Sequence, residues 1–316
     1  MNKPAAAALL AAIFALLAGP AQAQTCSYSV SPSLDFGTVT GLPTPQVDVT
    51  ATITVTCSAL LNINYRVCLS IPVGDGGASV ADRRMTQGGH ALQYQIYSDA
   101  ARSNIWGAVG ESSLPVAVDF RTLALNIPVT QQVTVYGRLF AGQTGKAVGM
   151  YSSSLAPIIA RRANFVFVPP SCATVSQNAS TLSPLTARAT LQPQCIIHAA
   201  PLSFGTVSGL SGHAANTNLA VNCTLGGAYS IALDGGTVSG DVNARRMRLG
   251  PGPASIDYQL YRDSGLSLPW GNSPGNMVTG TGTGTVQSIP VHGWVPPQAA
   301  KPAGTYVDTI TATITY

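Results

Sequence analysis

The side chains with the most recognisable chemistry in this 316-residue sequence are its cysteines. They are Cys26, Cys57, Cys68, Cys172, Cys195 and Cys223. None of them forms a C-x-x-C motif, and no histidine stands at a zinc-like spacing from one. An even number of cysteines without metal-binding spacing is typical of disulfides in an exported protein.

The remaining reactive side chains form no recognisable catalytic set. The four histidines have no acid or nucleophile at a motif spacing, and neither G-x-S-x-G nor H-E-x-x-H occurs in the sequence. The net charge is +4, and no lysine or arginine run is longer than a pair, which disfavours a nucleic-acid partner. We therefore predict no catalytic residue, no metal site, no cofactor and no enzymatic activity.

Residues 1–23 have the pattern of a signal peptide. Lys3 supplies the positive charge, "AAAALLAAIFALLAG" is the apolar stretch, and "AQA" ending at Ala23 is a small-x-small cleavage site. Cleavage there leaves Gln24 as the first residue of a protein exported through the periplasm. Since no later apolar run reaches about 18 residues, we predict no transmembrane segment after signal removal.

The rest of the sequence contains one pattern twice. "SLDFGTVTGL" recurs as "PLSFGTVSGL", "ADRRM" as "NARRM", "LQYQIYSDAARSNIWG" as "IDYQLYRDSGLSLPWG", and "GMYSSSLAPIIA" as "GTYVDTITATIT". A repeat of this length indicates duplicated domains rather than a solenoid. We predict a first domain over residues 24–172, a linker over 173–182 and a second domain over 183–316.

Each copy is a series of short β-branched runs separated by Gly, Pro, Asn and Asp, such as "VDVTATITVTC" and "NYRVCLSI". This pattern predicts an all-β fold of two tandem immunoglobulin-like β-sandwiches. Trp106 and Trp270 share one repeat position and are predicted to lie in the cores. The arginine pairs before Met85 and Met247 are predicted to be solvated edge residues.

The repeat also assigns the disulfides. Cys195 and Cys223 are the only cysteines of the second copy, and they match Cys26 and Cys57 of the first. We therefore predict the pairs Cys26–Cys57, Cys195–Cys223 and, from the two cysteines that remain, Cys68–Cys172. Each closed loop is expected to contribute about 2–4 kcal/mol to stability.

The two copies differ at their ends. Tyr151 matches Tyr306, and Arg161 matches Tyr316, but the first copy continues with "RANFVFVPPSC". The apolar run Phe165–Val168 predicts a final strand in the first domain, tied back by Cys172. The second domain is predicted to lack this strand.

A sandwich without its last strand has an open groove with unpaired backbone edges, and a strand from another chain can fill it. Alternating apolar residues of two strands are predicted to line this groove. They are Ile310, Ala312, Ile314 and Tyr316 near the end of the sequence, and Leu185, Ala187, Ala189 and Leu191 in "LTARATLQ". Only Gln24 and Thr25 precede Cys26 after cleavage, too few to serve as a donor strand. We therefore expect a subunit that accepts a strand without giving one.

The sequence contains one ordered set of motifs twice, C…FGTV…VTC…RRM…YQLY.D…WG…GTY.DT.T.T.TY. This set resembles the spore coat protein U domain family, whose domain builds the subunits of Csu-type (archaic) chaperone–usher pili. A two-domain member is similar to the tip adhesin of such pili. The resemblance implies a periplasmic chaperone, an outer-membrane usher, a next pilin subunit that donates a strand to the second domain, and surface adhesion through the first. The alternative is a structural spore-coat or cell-surface matrix protein.

Adhesive residues are expected where the first domain departs from the repeat. The least shared stretch is "GAVGESSLPVAVDFRTLALN", which runs from Gly107 to Asn126. An exposed apolar patch in this stretch would mark an interaction site, and an additional half-buried strand is the alternative interpretation. The candidate residues are Leu114, Val116, Phe120, Leu123 and Leu125.

Overall fold

The computed structural model describes residues 24–316. The predicted signal peptide and its cleavage site after Ala23 lie outside the described residues. Almost all regular structure in the described part is β-strand, which confirms the predicted all-β fold. The strands form two sandwiches, called here the first and the second sandwich, each with its own hydrophobic core.

Twelve strands form the first sandwich. They are rich in β-branched residues, and in VDVTATITVTCSA alternate side chains are buried, as expected for a strand with one face on a core. The strands are β1 (Gln24–Val30), β2 (Ser33–Val39), β3 (Val47–Ala59), β4 (Asn64–Ser70), β5 (Arg83–Gln87), β6 (His90–Tyr97), β7 (Val116–Arg121), β8 (Val129–Leu139), β9 (Gly149–Leu155), β10 (Ile158–Phe165), β11 (Ser180–Leu182) and β12 (Leu185–Leu191).

The first sandwich consists of two sheets. One has eight strands in the order β1-β3-β8-β6-β5-β9-β12-β2, and the other has four in the order β11-β10-β4-β7. Inward side chains from both sheets meet in one core, in which Tyr65 of the smaller sheet and Tyr94 of the larger are fully buried. The first sandwich is therefore a closed unit in which every strand of the larger sheet has a hydrogen-bonded neighbour.

The second sandwich repeats this arrangement with shorter strands. Its larger sheet is split into β13-β14-β20-β18 and β17-β16-β21, and its smaller sheet is β19-β15-β22. The elements are β13 (Cys195–Ala199), β14 (His213–Cys223), β15 (Ala228–Leu233), the single-turn helix α1 (Gly236–Ser239), β16 (Arg246–Leu249), β17 (Ser255–Asp257), β18 (Gln259–Tyr261), β19 (Val278–Thr281), β20 (Val286–Val295), β21 (Tyr306–Val307) and β22 (Ala312–Thr315).

All three predicted disulfides are present. Two of them join directly opposed residues of antiparallel strands at the same place in each sandwich. The third ties the segment after β10 to β4. The bonded pairs are Cys26–Cys57, Cys195–Cys223 and Cys68–Cys172.

The two predicted core tryptophans occupy equivalent places. Trp106 and Trp270 are fully buried. Their indole N–H groups donate hydrogen bonds to the carbonyl oxygens of Leu69 (2.8 Å) and Ile231 (2.9 Å). Because a buried indole needs a partner for its N–H group, this shared bond fixes the ring orientation in both cores.

The arginine pairs differ from the prediction, because the first arginine of each pair is buried rather than solvated. Arg83 donates to the carbonyl oxygen of Trp106 at 2.8 Å and to the Gln95 side chain at 2.7 Å. Arg245 makes the same kind of bonds with backbone carbonyls and with Gln259. Burial lowers the pKa of Arg83 to about 10 and also lowers that of Arg245. The guanidinium tolerates burial because carbonyl oxygens accept from its several N–H groups.

The strand "LTARATL" belongs to the first sandwich and not to the second. As β12, it pairs antiparallel with β9 and parallel with β2. The prediction that it lines a groove in the second domain is therefore wrong. Because β12 lies between β9 and β2 and its apolar and polar residues alternate, its apolar residues face the core of the first sandwich. They are Leu185, Ala187, Ala189 and Leu191.

The predicted final strand of the first domain, Phe165–Val168, is also not a strand. Phe165 is the last residue of β10, while Val166, Phe167 and Val168 are 75%, 91% and 80% exposed. The position beside β9 that a final strand would take is occupied by β12. Residues 192–194 then join the two sandwiches, because β13 begins at Cys195.

Candidate functional site: an open groove and an apolar loop cluster

An open groove of about 390 Å³ runs through the second sandwich. One edge is the segment 201–207 and the other is the segment 306–312. The floor between them is largely apolar, as in the core of a closed domain. The residues that line the floor are Leu219, Leu233, Met247, Tyr258, Leu260 and Val291.

The groove lies where the first sandwich holds β12. The sequence SLDFGTV forms β2 in the first sandwich, and its hydrogen-bonded neighbour there is β12. The matching sequence PLSFGTV, residues 201–207, forms no strand in the second sandwich. Its Phe204 still packs edge-on against Tyr258 at 6.2 Å, as Phe36 does against Tyr94 at 6.0 Å. The edge is therefore in place, and within residues 24–316 no strand fills the gap beside it.

Side chains at matching positions differ in burial because of this gap. Val39 is 1% exposed in the first sandwich, whereas its counterpart Val207 is 38% exposed. Five further residues are fully or almost fully buried in the first sandwich and only partly buried in the second. The pairs are Leu34 and Leu202, Phe36 and Phe204, Met85 and Met247, Tyr151 and Tyr306, and Leu155 and Ile310.

The predicted groove residues near the end of the sequence fall into two groups. Ile310 and Ala312 line the groove. Ile314 pairs with Ile231 in the smaller sheet and packs on the core, and Tyr316 is 50% exposed beyond the end of β22. Sequence reasoning missed the second edge, although the repeated FGTV motif was the signal that marked it.

One charged side chain lines the groove. Asp308 accepts a hydrogen bond from the Tyr258 hydroxyl at 2.8 Å. Burial, together with this carboxylate, raises the pKa of Tyr258 well above its usual range. The tyrosine is therefore a neutral hydrogen-bond donor at any physiological pH, and it holds the carboxylate in place.

A second feature is a cluster of exposed apolar side chains on three loops of the first sandwich, called here the apolar loop cluster. The loops are residues 60–63, 122–128 and 166–168. The exposed side chains are Leu60, Leu61, Leu123, Leu125, Ile127, Val166, Phe167 and Val168.

These three loops meet at one end of the sandwich. The Leu125 N–H donates to the Leu60 carbonyl oxygen at 3.1 Å. Asn64, the first residue of β4, lies opposite Phe165 of β10 on one side and opposite Arg121 of β7 on the other. The junction with the second sandwich is at the opposite end, where the last residue of β12 pairs with the first residue of β9. The cluster therefore lies at the free end of the first sandwich.

The loops are held in position rather than loosely attached. Arg66 makes an ion pair with Asp119 at 2.6 Å and also donates to the Pro170 carbonyl oxygen at 2.9 Å. The disulfide of Cys172 anchors the same segment. Leu125 has a φ of 66°, a conformation that costs free energy in a residue other than glycine, and its side chain is 81% exposed. Such strain is concentrated at functional sites.

The structure separates the five candidate adhesive residues. Leu123 and Leu125 belong to the apolar loop cluster. Phe120 is only 2% exposed and stacks on Tyr65 at 5.5 Å, and Val116 is a partly buried residue of β7, so the half-buried strand is correct for these two. Leu114 is 55% exposed but lies before the other end of β7.

No group of three or more His, Cys, Asp or Glu side chains is placed to hold a metal ion among residues 24–316. In the same residues, no helix is long and apolar enough to cross a membrane.

Fold and groove together define a tandem of immunoglobulin-like sandwiches, the first closed by its own strand and the second open. The chain belongs to the Spore Coat Protein U domain family, whose sequence model matches residues 12–156 and 181–313. It is 36% identical over 104 residues to "Protein U" of Myxococcus xanthus. That match covers 31% of this chain and 58% of the relative, so the chain spans little more than half of that protein's length.

Solved structures of pilus adhesins are also similar over most of the chain. The chaperone–tip adhesion subunit complex CsuC–CsuE of the archaic Csu pili of Acinetobacter baumannii matches with 20% identity and a TM-score of 0.49, over 92% of this chain and 100% of that chain. The CupB6 tip adhesin of Pseudomonas aeruginosa matches with 11% identity and a TM-score of 0.37, over 92% and 93% of the two chains.

Proposed function

We propose that this protein is an exported pilus subunit of the chaperone–usher pathway. Its second sandwich accepts a strand from another chain, and its first sandwich adheres to surfaces from the pilus tip. The observation that carries the proposal is the groove between segments 201–207 and 306–312, at the place where β12 closes the first sandwich. Membership of the Spore Coat Protein U domain family supports it.

An open groove is a liability for an exported protein. Unpaired strand edges and wet apolar side chains favour aggregation unless another strand covers them. In this proposal a periplasmic chaperone lends its strand first, the outer-membrane usher receives the complex, and the next pilin subunit then replaces the chaperone strand with its own. The result is a subunit fixed at the cell surface by β-strand addition.

Co-purification from the periplasm tests the assembly step. We expect the protein to elute with one equivalent of a chaperone, and cross-links from that partner to fall on segments 201–207 and 306–312. A matched variant, Ile310→Asp, places a charge on the groove edge and should reduce recovery of the complex at least tenfold. Recovery of a stable, monodisperse protein with no bound partner would contradict strand acceptance.

Eight exposed apolar side chains lie together at one end of the first sandwich. Because exposed apolar patches of this kind mark interaction sites, we assign adhesion to the apolar loop cluster. Arg66 and the disulfide of Cys172 hold the segment that carries the loop 166–168, and the hydrogen bond between Leu125 and Leu60 holds the other two loops together. The target that suits such a surface is itself apolar, such as an uncharged solid surface or a lipid-rich cell envelope. Attachment of this kind supports biofilm formation.

The double variant Leu125→Asp, Phe167→Asp is expected to reduce attachment to polystyrene at least tenfold. Each apolar side chain contributes about 1.5–3 kcal/mol when buried, and a carboxylate on an apolar surface opposes contact. The melting temperature should change little, because both side chains are exposed. The control is Leu114→Asp, an exposed leucine at the other end of β7. Equal loss of attachment in the control would remove the cluster as the adhesive site.

The second candidate function is a structural coat or matrix protein of the cell or spore surface. The description of the family as a Spore Coat Protein U domain favours it. Both candidates use the same fold and the same groove. Immunogold labelling distinguishes them, because a tip subunit labels the ends of fibres and a coat component labels a continuous layer.

A further inference from the structure

The groove contains one carboxylate at a position where the closed sandwich has a neutral residue. Asp308 stands two residues after Tyr306, as Ser153 stands two residues after Tyr151. In the first sandwich, Ser153 is buried directly opposite Ala187 of β12. A strand that fills the groove in the same register therefore places one inward side chain directly against Asp308.

The two oxygens of Asp308 are not equally satisfied. Oδ1 accepts from the Thr237 hydroxyl at 3.0 Å and from the backbone N–H groups of Val238 and Thr309 at 3.1 and 2.9 Å. Oδ2 accepts only from the Tyr258 hydroxyl, at 2.8 Å. A carboxylate oxygen accepts about two hydrogen bonds. Oδ2 therefore keeps one acceptor position, and Asp308 lines the open groove. A strand that covers the groove excludes water from this carboxylate.

The incoming side chain does not need to be a cation. Burial lowers the pKa of the Arg245 guanidinium, and the Asp308 carboxylate counters part of that lowering. The guanidinium N–H groups donate to backbone carbonyls and to Gln259. None of these hydrogen bonds goes to Asp308, so the cation does not satisfy Oδ2. What the filled groove lacks is one neutral hydrogen-bond donor small enough to fit where the first sandwich has Ala187.

We propose that Asp308 selects the strand that completes the second sandwich, and that this strand carries Ser, Thr or Asn where β12 carries Ala187. The inference rests on the proposed function of the groove. An alanine at this position leaves Oδ2 with the Tyr258 hydroxyl as its one donor in a covered groove, which weakens binding, and an acidic residue is repelled. The strand β12 of a second copy is therefore a poor donor for this groove, so copies of this protein do not chain to one another.

The test uses the full exported chain and three labelled synthetic peptides. The first has the sequence of residues 183–193, the second carries Ala187→Ser, and the third carries Ala189→Ser. Dissociation constants are measured by fluorescence anisotropy. We expect the Ala187→Ser peptide to bind about tenfold more tightly than the parent. The Ala189→Ser peptide faces Tyr306 and not Asp308, and should bind no more tightly than the parent.

Two variants of the protein complete the test. In Asp308→Ser, which copies the first sandwich, and in Asp308→Asn, which keeps the shape of the side chain, the preference for the Ala187→Ser peptide should fall to within twofold. The ratio of the dissociation constants of two peptides for the same variant does not depend on the stability of that variant. Equal binding of the parent and Ala187→Ser peptides to the unmodified protein overturns the selection by Asp308. Failure of all three peptides to bind overturns strand acceptance itself.

Discussion

A donor strand fused after Tyr316 is expected to raise the melting temperature of the second sandwich by about 10–15 °C. The fusion carries residues 183–193 with Ala187→Ser, joined through a Gly/Ser linker as long as residues 162–182, which make the same connection in the first sandwich because Arg161 matches Tyr316. Covering the groove floor and burying two leucines is worth a few kcal/mol after the cost of ordering the strand. A stabilisation of 1 kcal/mol raises the melting temperature of a domain of about 120 residues by about 4 °C.

The gain should be confined to the second sandwich. Hydrogen exchange measured by mass spectrometry separates the two, because β20 reports on the second sandwich and β8 on the first. The control fusion replaces the two leucines of the added strand with aspartate, which keeps the length and removes the apolar side chains. An unchanged melting temperature for the leucine fusion, or an equal rise for the aspartate fusion, would contradict an incomplete second sandwich.

Repetition made much of this fold predictable from the sequence. Two copies of one pattern are enough to indicate two sandwiches, the three disulfides and the buried tryptophans, because a residue present in both copies serves the shared core. The predicted linker at 173–182 and the start of the second domain at 183 do not agree with the structure, because β11 and β12 belong to the first sandwich. The second sandwich does lack a strand that the first has, but that strand is β12 and not the predicted Phe165–Val168. What the repeat does not show is which chain segment supplies the last strand of the first copy.

The assignment of β12 went wrong for a physical reason. An alternating run such as LTARATL fits any half-buried gap between two strands, and its position just before the second copy favoured the second domain. Phe165–Val168 had the stronger β-propensity and was nearer in sequence to β10. In the structure LTARATL is the buried segment of the two. Phe167 is exposed, because two prolines and the disulfide of Cys172 direct its segment away from the sheet.

The polar details of the site were beyond sequence reasoning. In the RRM motif Arg83 lies on the same face of β5 as the buried Met85, so strand alternation places Arg83 inward and Arg84 outward. The carbonyl groups that accept from the buried guanidinium are known only from the structure. The sequence alone does not mark Asp308 as a site residue, because its hydroxyl partners, Thr237 and Tyr258, lie far from it in the sequence. Such partners come from distant segments, which a local pattern does not reveal.

The variant Ala187→Asp is expected to destabilise the first sandwich by more than about 4 kcal/mol and to leave the second unchanged. Ala187 is fully buried in the first core, where an added carboxylate would lose its hydration and would face Ser153 directly opposite. Hydrogen exchange should show loss of protection in β8 and β9, with β14 and β20 still protected. Attachment through the apolar loop cluster should fall with it, because β4, β7 and β10 position those loops.

The neighbouring residue provides the matched control. Arg188 points outward and pairs with Asp35 of β2 at 2.7 Å, with both side chains about half exposed. An exposed pair of this kind is worth under about 1 kcal/mol, so Arg188→Ala should have little effect on either sandwich. Because inward and outward residues alternate along β12, a large loss for Ala187→Asp beside a small loss for Arg188→Ala identifies the buried face. If Ala187→Asp instead exposed β14 and β20, the strand would belong to the second sandwich, and the groove described above would be filled in solution by the chain itself.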